Sequence, residues 1–460
     1  LGVMLPASPL HQIIADALAH TLVVTSANRG GEPVITDDAD AEQQLVNIAD
    51  GLLRHNRQII HMVDDSVLRY AGQRRILMRH ARGFAPTSVT VSGRSSAGLA
   101  LGGHMKSAAA LQTGRNLTLL QHIGDLTTLT AQARLLDEGL GIARHLFHTL
   151  PLSTARDLHP DYASTDIAQG LALPDEAVPH HVAHILSLLA EQHVSLPVLG
   201  VAFDGTGLGT DNTIWGGEFI RISEAANDKP QALEWQRFGT ILQFPLPGGE
   251  AAVREPRRAA LGVAWRLCEG ETQRLPACIR ELFSAAEMNT LTGMLHSNYN
   301  CPQTTSIGRL FDAIAAMLGF CARADYDGEA AMLLEQAATD CRGATLPPLV
   351  TDGIWDWRPL ITILLLQFEK GADRRCLAAT FHKSLASMIA SMTAHHCEPN
   401  VLLSGGVFQN ALLVQQTCAS LAAAGKTPVT HKNIPPNDGG LALGQAFAAS
   451  AGLTELEQSI

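Results

Sequence analysis

The sequence predicts an α/β protein with more than one domain. Long helices rich in alanine and leucine, such as AAMLLEQAATD and RCLAATFHKSLASMIASMTAHH, alternate with short apolar strands, as in layered α/β folds. The chain has 460 residues, enough for two or more domains with buried cores. A segment rich in Ser, Thr and Gly runs from Pro86 to Gly98. We therefore predict a domain boundary near residue 90.

Composition and charge narrow the class of ligand. The formal net charge of -11 argues against non-specific nucleic-acid binding and favours a small charged ligand or a protein as the acceptor. No run approaches eighteen apolar residues, so the sequence predicts no membrane span. The eight cysteines are scattered without a CxxC pair, which argues against a zinc finger. Unpaired cysteines indicate a reducing, cytoplasmic compartment.

A pair of histidines is the first candidate for metal binding. His180 and His184 lie four residues apart in VPHHVAHILSLLAEQ, where apolar residues such as Val182 and Ile185 recur at helical spacing. One helix face would then present two imidazoles to a single cation. The alternative is a solvated pair, since a chain with 19 histidines places some at this spacing by chance. His181 stands where zinc proteases carry their glutamate base, which excludes that chemistry.

A glycine-rich string, FDGTGLGTD, follows the histidine pair and begins at Phe203. It lacks the Lys-Ser/Thr of a Walker A loop and does not open a helix as a dinucleotide fingerprint does. The next residues, TDNTIWGGEFIRI, predict a strand, a glycine turn and a returning strand. Backbone N–H groups in such a turn form a nest for phosphate. An ordinary glycine-rich hairpin is the alternative.

Two later glycine segments extend this interpretation. A strand at residues 401–403 runs into Gly405 and Gly406, and a helix opens near Asn410. The glycines would let an adenosine lie against the backbone, and Asn410 would reach ribose or phosphate oxygens. Asp438 precedes a second glycine-rich helix start, in NDGGLALGQA. Its carboxylate either completes a metal site or caps the helix.

The order of these motifs resembles a known family. HHxAH, FDGTGxGxDxxxWGGE, SxGRLFDAxAAxLG, LSGGVFQN and NDGGLALGQA are similar to strings in the HypF carbamoyltransferases of NiFe hydrogenase maturation, over nearly the whole chain. Residues 1–90 resemble the end of a YrdC-like domain, and residues 91–460 resemble a TsaD-like transferase domain. That domain belongs to the two-lobed actin, sugar-kinase and heat-shock-chaperone superfamily (ASKHA). We accordingly predict lobes at 91–198 and 199–460.

The resemblance implies a set of site residues. Metal binding and catalysis would fall to His180, His184, Asp204 and Asp438, with iron, zinc or manganese as the metal and magnesium accompanying the nucleotide. The implied nucleotide-binding residues are Gly205, Thr206, Gly319, Glu329, Gly405, Gly406, Asn410 and Lys106. The implied YrdC-like site comprises Thr25, Ser26, Asn28, Ser66 and Arg69. This chain departs from the family's usual pattern at Val182, which replaces a third histidine, and in GGHMK around Lys106.

The resemblance also implies an activity. The expected reaction is ATP-dependent transfer of a carbamoyl group from carbamoyl adenylate, made from carbamoyl phosphate and ATP, to the C-terminal cysteine of the protein HypE. Family members begin with an acylphosphatase-like domain and paired CxxC motifs, whereas this chain starts within the YrdC-like region, so we expect transfer rather than activation. Two alternatives remain: a small-molecule O-carbamoyltransferase or kinase of the same superfamily, and a non-catalytic nucleotide-binding scaffold.

Overall fold

A computed structural model describes residues 2–28, 34–59, 62–92, 95–225 and 232–456. The chain divides into two compact units, Leu1–Asp64 and Asp65–Ile460. This division lies upstream of the boundary predicted near residue 90, because the segment after Asp65 packs into the core of the larger unit. Within the described ranges, no helix is both long and apolar enough to cross a membrane.

The smaller unit contains two short helices, α1 (Pro9–Leu18) and α2 (Asp38–Leu45). Ser8 and Asp37 cap their N-termini by accepting backbone N–H groups, as the sequence positions favour. Three residues assigned to the YrdC-like site, Thr25, Ser26 and Asn28, lie in the irregular segment between these helices. Their part in a nucleotide site stays a prediction.

The larger unit is a mixed α/β structure. Its strands, in the described residues, are β1 (Val67–Ala71), β2 (Arg74–Arg79), β3 (Thr87–Thr90), β4 (Ser96–Ala100), β5 (Ser107–Gly114), β6 (Asn116–Gly124), β7 (Ser153–Asp157), β8 (Asp175–Val178), β9 (Val198–Phe203), β10 (Gly217–Glu224), β11 (Leu233–Ile241), β12 (Phe244–Pro245), β13 (Gln303–Thr304), β14 (Leu349–Thr351), β15 (Ile354–Asp356), β16 (Asn400–Ser404), β17 (Thr427–Thr430) and β18 (Leu453–Glu455). Its helices, in the same residues, are α3 (Leu129–His145), α4 (Ala163–Gly170), α5 (His180–Gln192), α6 (Ala251–Arg254), α7 (Pro256–Leu267), α8 (Ala277–Arg280), α9 (Ala285–Ser297), α10 (Ile307–Met317), α11 (Glu329–Thr339), α12 (Arg358–Glu369), α13 (Arg374–Ala394), α14 (Ala411–Ala423) and α15 (Leu441–Ala451).

Two sheets repeat one topology. The first contains the strand order β6-β5-β4-β7-β8, and the second contains β11-β10-β9-β16-β17. In each, an antiparallel meander is followed by two parallel strands, since β4 pairs with β7 and β9 pairs with β16 in parallel. The β6-β5-β4 and β11-β10-β9 pairings are antiparallel. The predicted two-lobed α/β architecture is therefore present, although the sequence shows no internal repeat.

Helices α5 and α15 occupy the space between the lobes. Side chains from His180 to Ala190 of α5 are buried, and α15 is buried along most of its length. Helix α15 packs against α5 and against strands β4, β5 and β7 of the first sheet. The C-terminal helix thus lies against the first lobe, although the sequence-based division assigned it to the second. Its apolar residues on several faces explain why it can be covered by both.

One pair of cysteines departs from the sequence-based expectation that all are unpaired. Cys341 and Cys376 form a disulfide with Cα atoms 5.2 Å apart. The segment after Cys341 lies along α13, where Thr380 Oγ1 accepts the backbone N–H of Ala344 at 3.1 Å. This close run of backbone brings the two cysteines together. Their sequence separation of 35 residues contains no CxxC-like signal, so the pairing was not predictable from spacing.

The contact between α5 and α15 depends on a glycine. A Cβ atom added at Gly444 would lie 1.8 Å from the backbone oxygen of Ala183. We expect Gly444→Ala to lower the free energy of unfolding of the larger unit by about 1–3 kcal/mol, because the helices must separate. Chemical denaturation followed by circular dichroism measures this change.

The matched control is Gly141→Ala in α3, where an added Cβ meets nothing within 4 Å. This control should raise the free energy of unfolding slightly, by about 0.5–1 kcal/mol, because alanine favours a helix. Equal stability of the Gly444→Ala variant and the unmodified chain would contradict the packing account.

Candidate metal and nucleotide site

Four side chains converge where α5 begins. His180 is the first residue of α5, and His184 lies one turn later on the same face. Asp204 directly follows β9, and Asp438 opens a short 3-10 turn, Asp438–Gly440, that leads into α15. One ligand atom from each of the four lies within 4.8 Å of those of the others. The structure thus brings together all four residues assigned to the metal.

The spacing of these atoms suits a first-row divalent cation. His184 Nε2 lies 2.8 Å from Asp204 Oδ2 and 3.2 Å from His180 Nε2. Asp438 Oδ1 lies 3.7 Å from the Nε2 atoms of both histidines. Ligands about 2.1 Å from a tetrahedral metal are roughly 3.4 Å from one another, close to these separations.

A buried oxygen supports the same interpretation. Asp204 Oδ2 is inaccessible to solvent and has no hydrogen-bond partner in the described residues, although His184 Nε2 lies 2.8 Å away. A buried carboxylate oxygen normally has a partner, and a cation would supply it. Two imidazoles and two carboxylates fit iron, zinc or manganese. The residues present therefore fit the metal that the sequence predicts.

The alternative role of Asp438 as a helix cap does not apply. Asn437 caps the 3-10 turn, because its Oδ1 accepts the N–H of Gly439 at 3.0 Å. The Asp438 carboxylate faces His180 and His184 instead. It also lies beside the first lobe, since a Cβ added at Gly103 would be 3.4 Å from Asp438 Oδ2. Asp438 therefore joins the turn between β4 and β5 to the cluster.

Asp157 is a candidate site residue that the sequence analysis missed. It ends β7 and is fully buried, and its Oδ2 lies 2.7 Å from His180 Nδ1. A ligating histidine commonly donates its second ring N–H to a carboxylate, which fixes the ring and its tautomer. Asp157 belongs to the string DLHPDYAST, which precedes the histidine pair in the sequence. The available signal was an aspartate at a strand end near a predicted ligand histidine.

The carboxylates set the electrostatics of the cluster. Burial alone would lower the pKa of His180, but Asp157, followed by Asp204 and Asp438, holds that pKa well above its usual range. Burial alone would raise the pKa of Asp204, but the adjacent imidazoles of His180 and His184 keep it well below its usual range. Burial holds the pKa of His181, which is not part of the cluster, well below its usual range. The pocket thus favours an ionised Asp204 and disfavours charge on His181.

The predicted phosphate loop connects two antiparallel strands, β9 and β10. Of the strand, glycine turn and returning strand predicted within residues 210–222, only the returning strand forms, because Ile214 makes only isolated bridges. Gly207 and Gly209 are required for packing, since added Cβ atoms would lie 2.5 Å from His181 and 2.1 Å from Trp215. At Gly205, an added Cβ would first meet Arg309 Nη2, at 3.1 Å. Thr206 is exposed. The part of the loop next to Asp204, at residues 205 and 206, is therefore accessible to a ligand.

A buried carboxylate that the sequence analysis did not single out holds this loop. Glu218 Oε1 accepts the backbone N–H groups of Gly216 and Gly217, both at 3.2 Å, and the hydroxyl of Thr305. Its Oε2 accepts Arg237 Nε at 2.7 Å. This network fixes the returning end of the loop from inside the protein. Glu218 is part of the sequence string WGGE, but its partners Thr305 and Arg237 lie elsewhere in the chain.

The second glycine segment has the predicted strand and helix. Strand β16 ends at Ser404, a 3-10 turn spans Gly406–Gln409, and α14 follows Asn410. An added Cβ on Gly406 would lie 2.9 Å from Asp204 Oδ1, so this turn is adjacent to the metal cluster. Asn410 already has two protein partners: Oδ1 accepts Leu413 N–H at 2.8 Å and Nδ2 lies 3.0 Å from His382 Nε2.

Lys106 crosses from the first lobe to the second. Its Nζ donates to Asp327 Oδ2 at 2.8 Å, and Arg309 Nη2 lies 3.8 Å from the other oxygen of Asp327. Burial opposes the charge on Lys106, but Asp327 and then Asp438 raise its pKa above the usual range. The lysine therefore remains a cation near the cluster. Its predicted contact with phosphate stays a prediction.

Four other predicted residues have local roles. Gly319 follows α10 with φ of +73°, and Glu329 Oε2 accepts the N–H of Asp325 at 2.7 Å. Ser66 Oγ donates to Arg82 O at 3.0 Å, which closes the base of the β1–β2 hairpin. Arg69 donates to both carboxylate oxygens of Glu335 in α11. Nucleotide binding by these residues is untested by this geometry.

Family models match the chain in three consecutive segments. The model of the second subdomain of the Kae1-like carbamoyltransferase domain matches residues 200–445, and the HypF Kae1-like domain model matches residues 94–191. A model of the Sua5, YciO and YrdC group, described as telomere recombination, matches residues 1–81. The chain belongs to the HypF family of carbamoyltransferases. The predicted family is therefore confirmed.

Individual HypF proteins show the same relationship. The carbamoyltransferase HypF of Synechocystis sp. is 34% identical over 97% of this chain and 60% of its own length. A HypF homolog of Cupriavidus necator is 38% identical over 76% of this chain and 91% of its own length. A crystal structure of full-length HypF in the phosphate- and nucleotide-bound form has a TM-score of 0.89 at 30% identity, covering 98% of this chain and 70% of that one.

The match extends over the fold as well as the sequence. This HypF-family chain spans about three fifths of the length of the first curated relatives, which are covered over 60% and 59%. The high TM-score and the match of residues 1–81 confirm the predicted fold class, a YrdC-like part followed by a two-lobed α/β domain.

Asp157 offers a test of the metal centre. We expect Asp157→Asn to weaken zinc binding by about 10–100-fold, because the amide cannot hold the His180 tautomer as the carboxylate does. Zinc retained after dialysis against a graded chelator, quantified by plasma mass spectrometry, measures this change.

Asp175→Asn is the matched control, since Asp175 lies on the neighbouring strand β8 and pairs with Arg156 rather than with a histidine. This variant should bind zinc as the unmodified chain does. Unchanged zinc affinity in Asp157→Asn would remove the role assigned to Asp157.

Proposed function

We propose that this chain transfers a carbamoyl group from carbamoyl adenylate to a cysteine thiolate, that of the C-terminal cysteine of a HypE protein. The observation that carries the proposal is the cluster of His180, His184, Asp204 and Asp438, which lies directly beside two glycine turns. Membership of the HypF family supports the carbamoyl group as the cargo. The phosphate- and nucleotide-bound form of a HypF relative supports a nucleotide as its carrier.

The nucleotide would lie beside Asp204 and along the turn at Gly405 and Gly406. Gly405 has φ of +101°, and an added Cβ would lie 2.2 Å from the oxygen of Phe203, so the two turns are in contact at backbone level. A phosphate at residues 205 and 206 would have Arg309 and Lys106 on neighbouring elements. Gly319 and Glu329 would border the ribose. These are proposed contacts, supported by proximity and by the glycine pattern.

The proposed reaction is an acyl transfer. The thiolate sulfur attacks the carbamoyl carbon, a C–S bond forms, and the C–O bond to the AMP phosphate breaks, so that AMP leaves with the electron pair. A divalent metal, when bound, would act as a Lewis acid that polarises the carbonyl and neutralises phosphate charge. Asp157 would keep the His180 ring in its ligating tautomer. In the described residues, no cysteine of this chain joins the cluster, which agrees with an acceptor thiolate from another protein.

The remaining parts of the proposal concern the whole protein. We propose that residues 1–90 belong to a YrdC-like domain that makes carbamoyl adenylate from carbamoyl phosphate and ATP, and that residues 91–460 carry out the transfer. The match of residues 1–81 supports the first part. The negative net charge of -11 supports a protein acceptor over a nucleic acid. Hydrogenase maturation in the cytoplasm is the setting we propose.

The test supplies chemically prepared carbamoyl adenylate and purified HypE to this chain. Mass spectrometry should show a carbamoyl mass increase on the terminal cysteine of HypE. His180→Ala and Asp438→Ala should each slow the transfer at least about a hundredfold, because loss of metal ligation removes several kcal/mol of transition-state stabilisation.

His193→Asn is the matched control, because His193 ends the same helix, is exposed and has φ of +50°, which asparagine tolerates. It should leave the rate unchanged. Carbamoylation of a small hydroxyl compound without HypE would indicate an O-carbamoyltransferase, and nucleotide binding without any transfer would indicate a scaffold.

A further inference from the structure

The β1–β2 hairpin, Val67–Arg79, contacts both loops of the proposed site. We propose that it positions them: Arg69 fixes the nucleotide turn Gly406–Gln409 through Glu335, and the carbonyl of Met78 fixes the loop that carries Asp438. The inference rests on the proposed function, because the loops gain their meaning from the metal and the nucleotide. Arg69 is thus a positioning residue for the nucleotide turn.

The hairpin is anchored in the core of the larger unit. Ala71 and Ile76 are 4% and 6% exposed and belong to the apolar cluster that contains Phe203 and Phe408. The hairpin packs on α14, where Gln415 Nε2 is the nearest atom to a Cβ added at Gly72, at 3.7 Å. A segment held in this way transmits its position to its neighbours. The hairpin therefore acts as a fixed support.

The first contact between the hairpin and the site is a bidentate ion pair. Arg69 Nη2 lies 2.9 Å from Glu335 Oε1, and Nη1 lies 3.0 Å from Oε2. The side chain of Glu335 is 8% exposed, and its Oε1 also accepts the N–H groups of Ala411 and Leu412 at 2.8 and 3.2 Å. The carboxylate therefore caps α14 at its N-terminus, and Arg69 compensates its buried charge.

The same guanidinium reaches the nucleotide turn itself. Arg69 Nη1 donates to the backbone oxygen of Gln409 at 3.3 Å. The side chain of Gln409 donates in turn to Gly406 O at 3.0 Å. The turn that lies against Asp204 is thus held at its C-terminal residue by an arginine from the hairpin. Removing Arg69 would leave both the Glu335 carboxylate and this carbonyl without their cation.

The second contact joins the hairpin to the loop that carries Asp438. Asn437 Nδ2 donates to Met78 O at 3.0 Å and lies 2.8 Å from Gln409 Oε1. Asn437 is 3% exposed, and the next residue is Asp438. Asn437 therefore joins the hairpin, the nucleotide turn and the metal-ligand loop through one buried amide. Because this second contact uses a backbone carbonyl of the hairpin, substitution of Arg69 leaves its hydrogen bond in place.

Because the two contacts are separate, the effect of Arg69 on nucleotide binding can be distinguished from an effect on metal binding. We expect Arg69→Ala to weaken AMP binding by about tenfold, because the nucleotide turn loses its support, while zinc affinity changes by less than about threefold. Arg69→Lys should recover only part of the loss, since an ammonium cannot form the bidentate pair. Isothermal titration calorimetry with AMP and the chelator-dialysis zinc assay measure the two quantities on the full chain.

Two further variants keep the test decisive. Glu335→Gln retains an oxygen for the α14 N–H groups but loses the ion pair, so it should weaken AMP binding in the same direction even where Arg69→Ala is poorly folded. Arg74→Ala is the control, because Arg74 lies on the same hairpin and contacts only Thr430 Oγ1 among the hydrogen-bond partners described, at 3.4 Å. The Arg74→Ala variant should bind AMP as the unmodified chain does. AMP affinities are compared only between variants whose thermal unfolding midpoint matches that of the unmodified chain.

The outcomes separate this inference from the function on which it rests. AMP binding by the unmodified chain, with unchanged affinity in Arg69→Ala and Glu335→Gln, would overturn the positioning role and leave the proposed function standing. Equal losses of AMP and zinc affinity in Arg69→Ala would also overturn it, since they would indicate general loosening. A chain that binds neither AMP nor zinc would remove the proposed function and this inference with it.

Discussion

The burial of α5 from His180 to Ala190 is the constraint on which the rest of the site depends. Three buried imidazoles are costly unless each ring is hydrogen-bonded, and a charged ring costs more than a neutral one. Asp157, Asp204 and Asp438 pair with His180 and His184, whereas burial keeps His181 neutral beside Trp215, with no hydrogen-bond partner for either ring nitrogen in the described residues. The carboxylates are therefore part of the fold as well as of the metal site.

Glycines on two sides give α5 its position. A Cβ at Gly444 would meet the backbone of Ala183, and a Cβ at Gly200 of β9 would lie 2.6 Å from Ile185. The helix is thus in close contact with α15 on one side and with the second sheet on another. Asp204 follows β9, and Asp438 precedes α15. The two elements that pack against α5 therefore also carry the carboxylates that contact its histidines. Packing and ligation are consequently coupled.

Sequence patterns predicted features that depend on neighbouring residues, but they did not predict contacts between residues far apart in the chain. Helical spacing placed His180 and His184 on one face, and glycines marked the turns at residues 205 and 405. The ion pair of Arg69 with Glu335, 266 residues away, left no signal in the sequence around Arg69. The part played by Asp157 likewise appears only when β7 is placed beside α5. Positions fixed by strand order and tertiary pairing leave no periodic signal in one sequence.

The strand order also explains why the site lies where it does. Asp157 ends β7, Asp204 follows β9 and Gly405 follows β16, so all three lie at the carboxyl ends of strands. Strand β9 has an antiparallel neighbour, β10, and a parallel one, β16, so the carboxyl ends of β9 and β16 lie side by side. A dication there would be nearly balanced by Asp204 and Asp438, and Lys106 and Arg309 are already paired with Asp327 and Asp312. Recognition of phosphate would therefore fall mainly to backbone N–H groups, which accounts for glycine-rich turns in a chain of strongly negative charge.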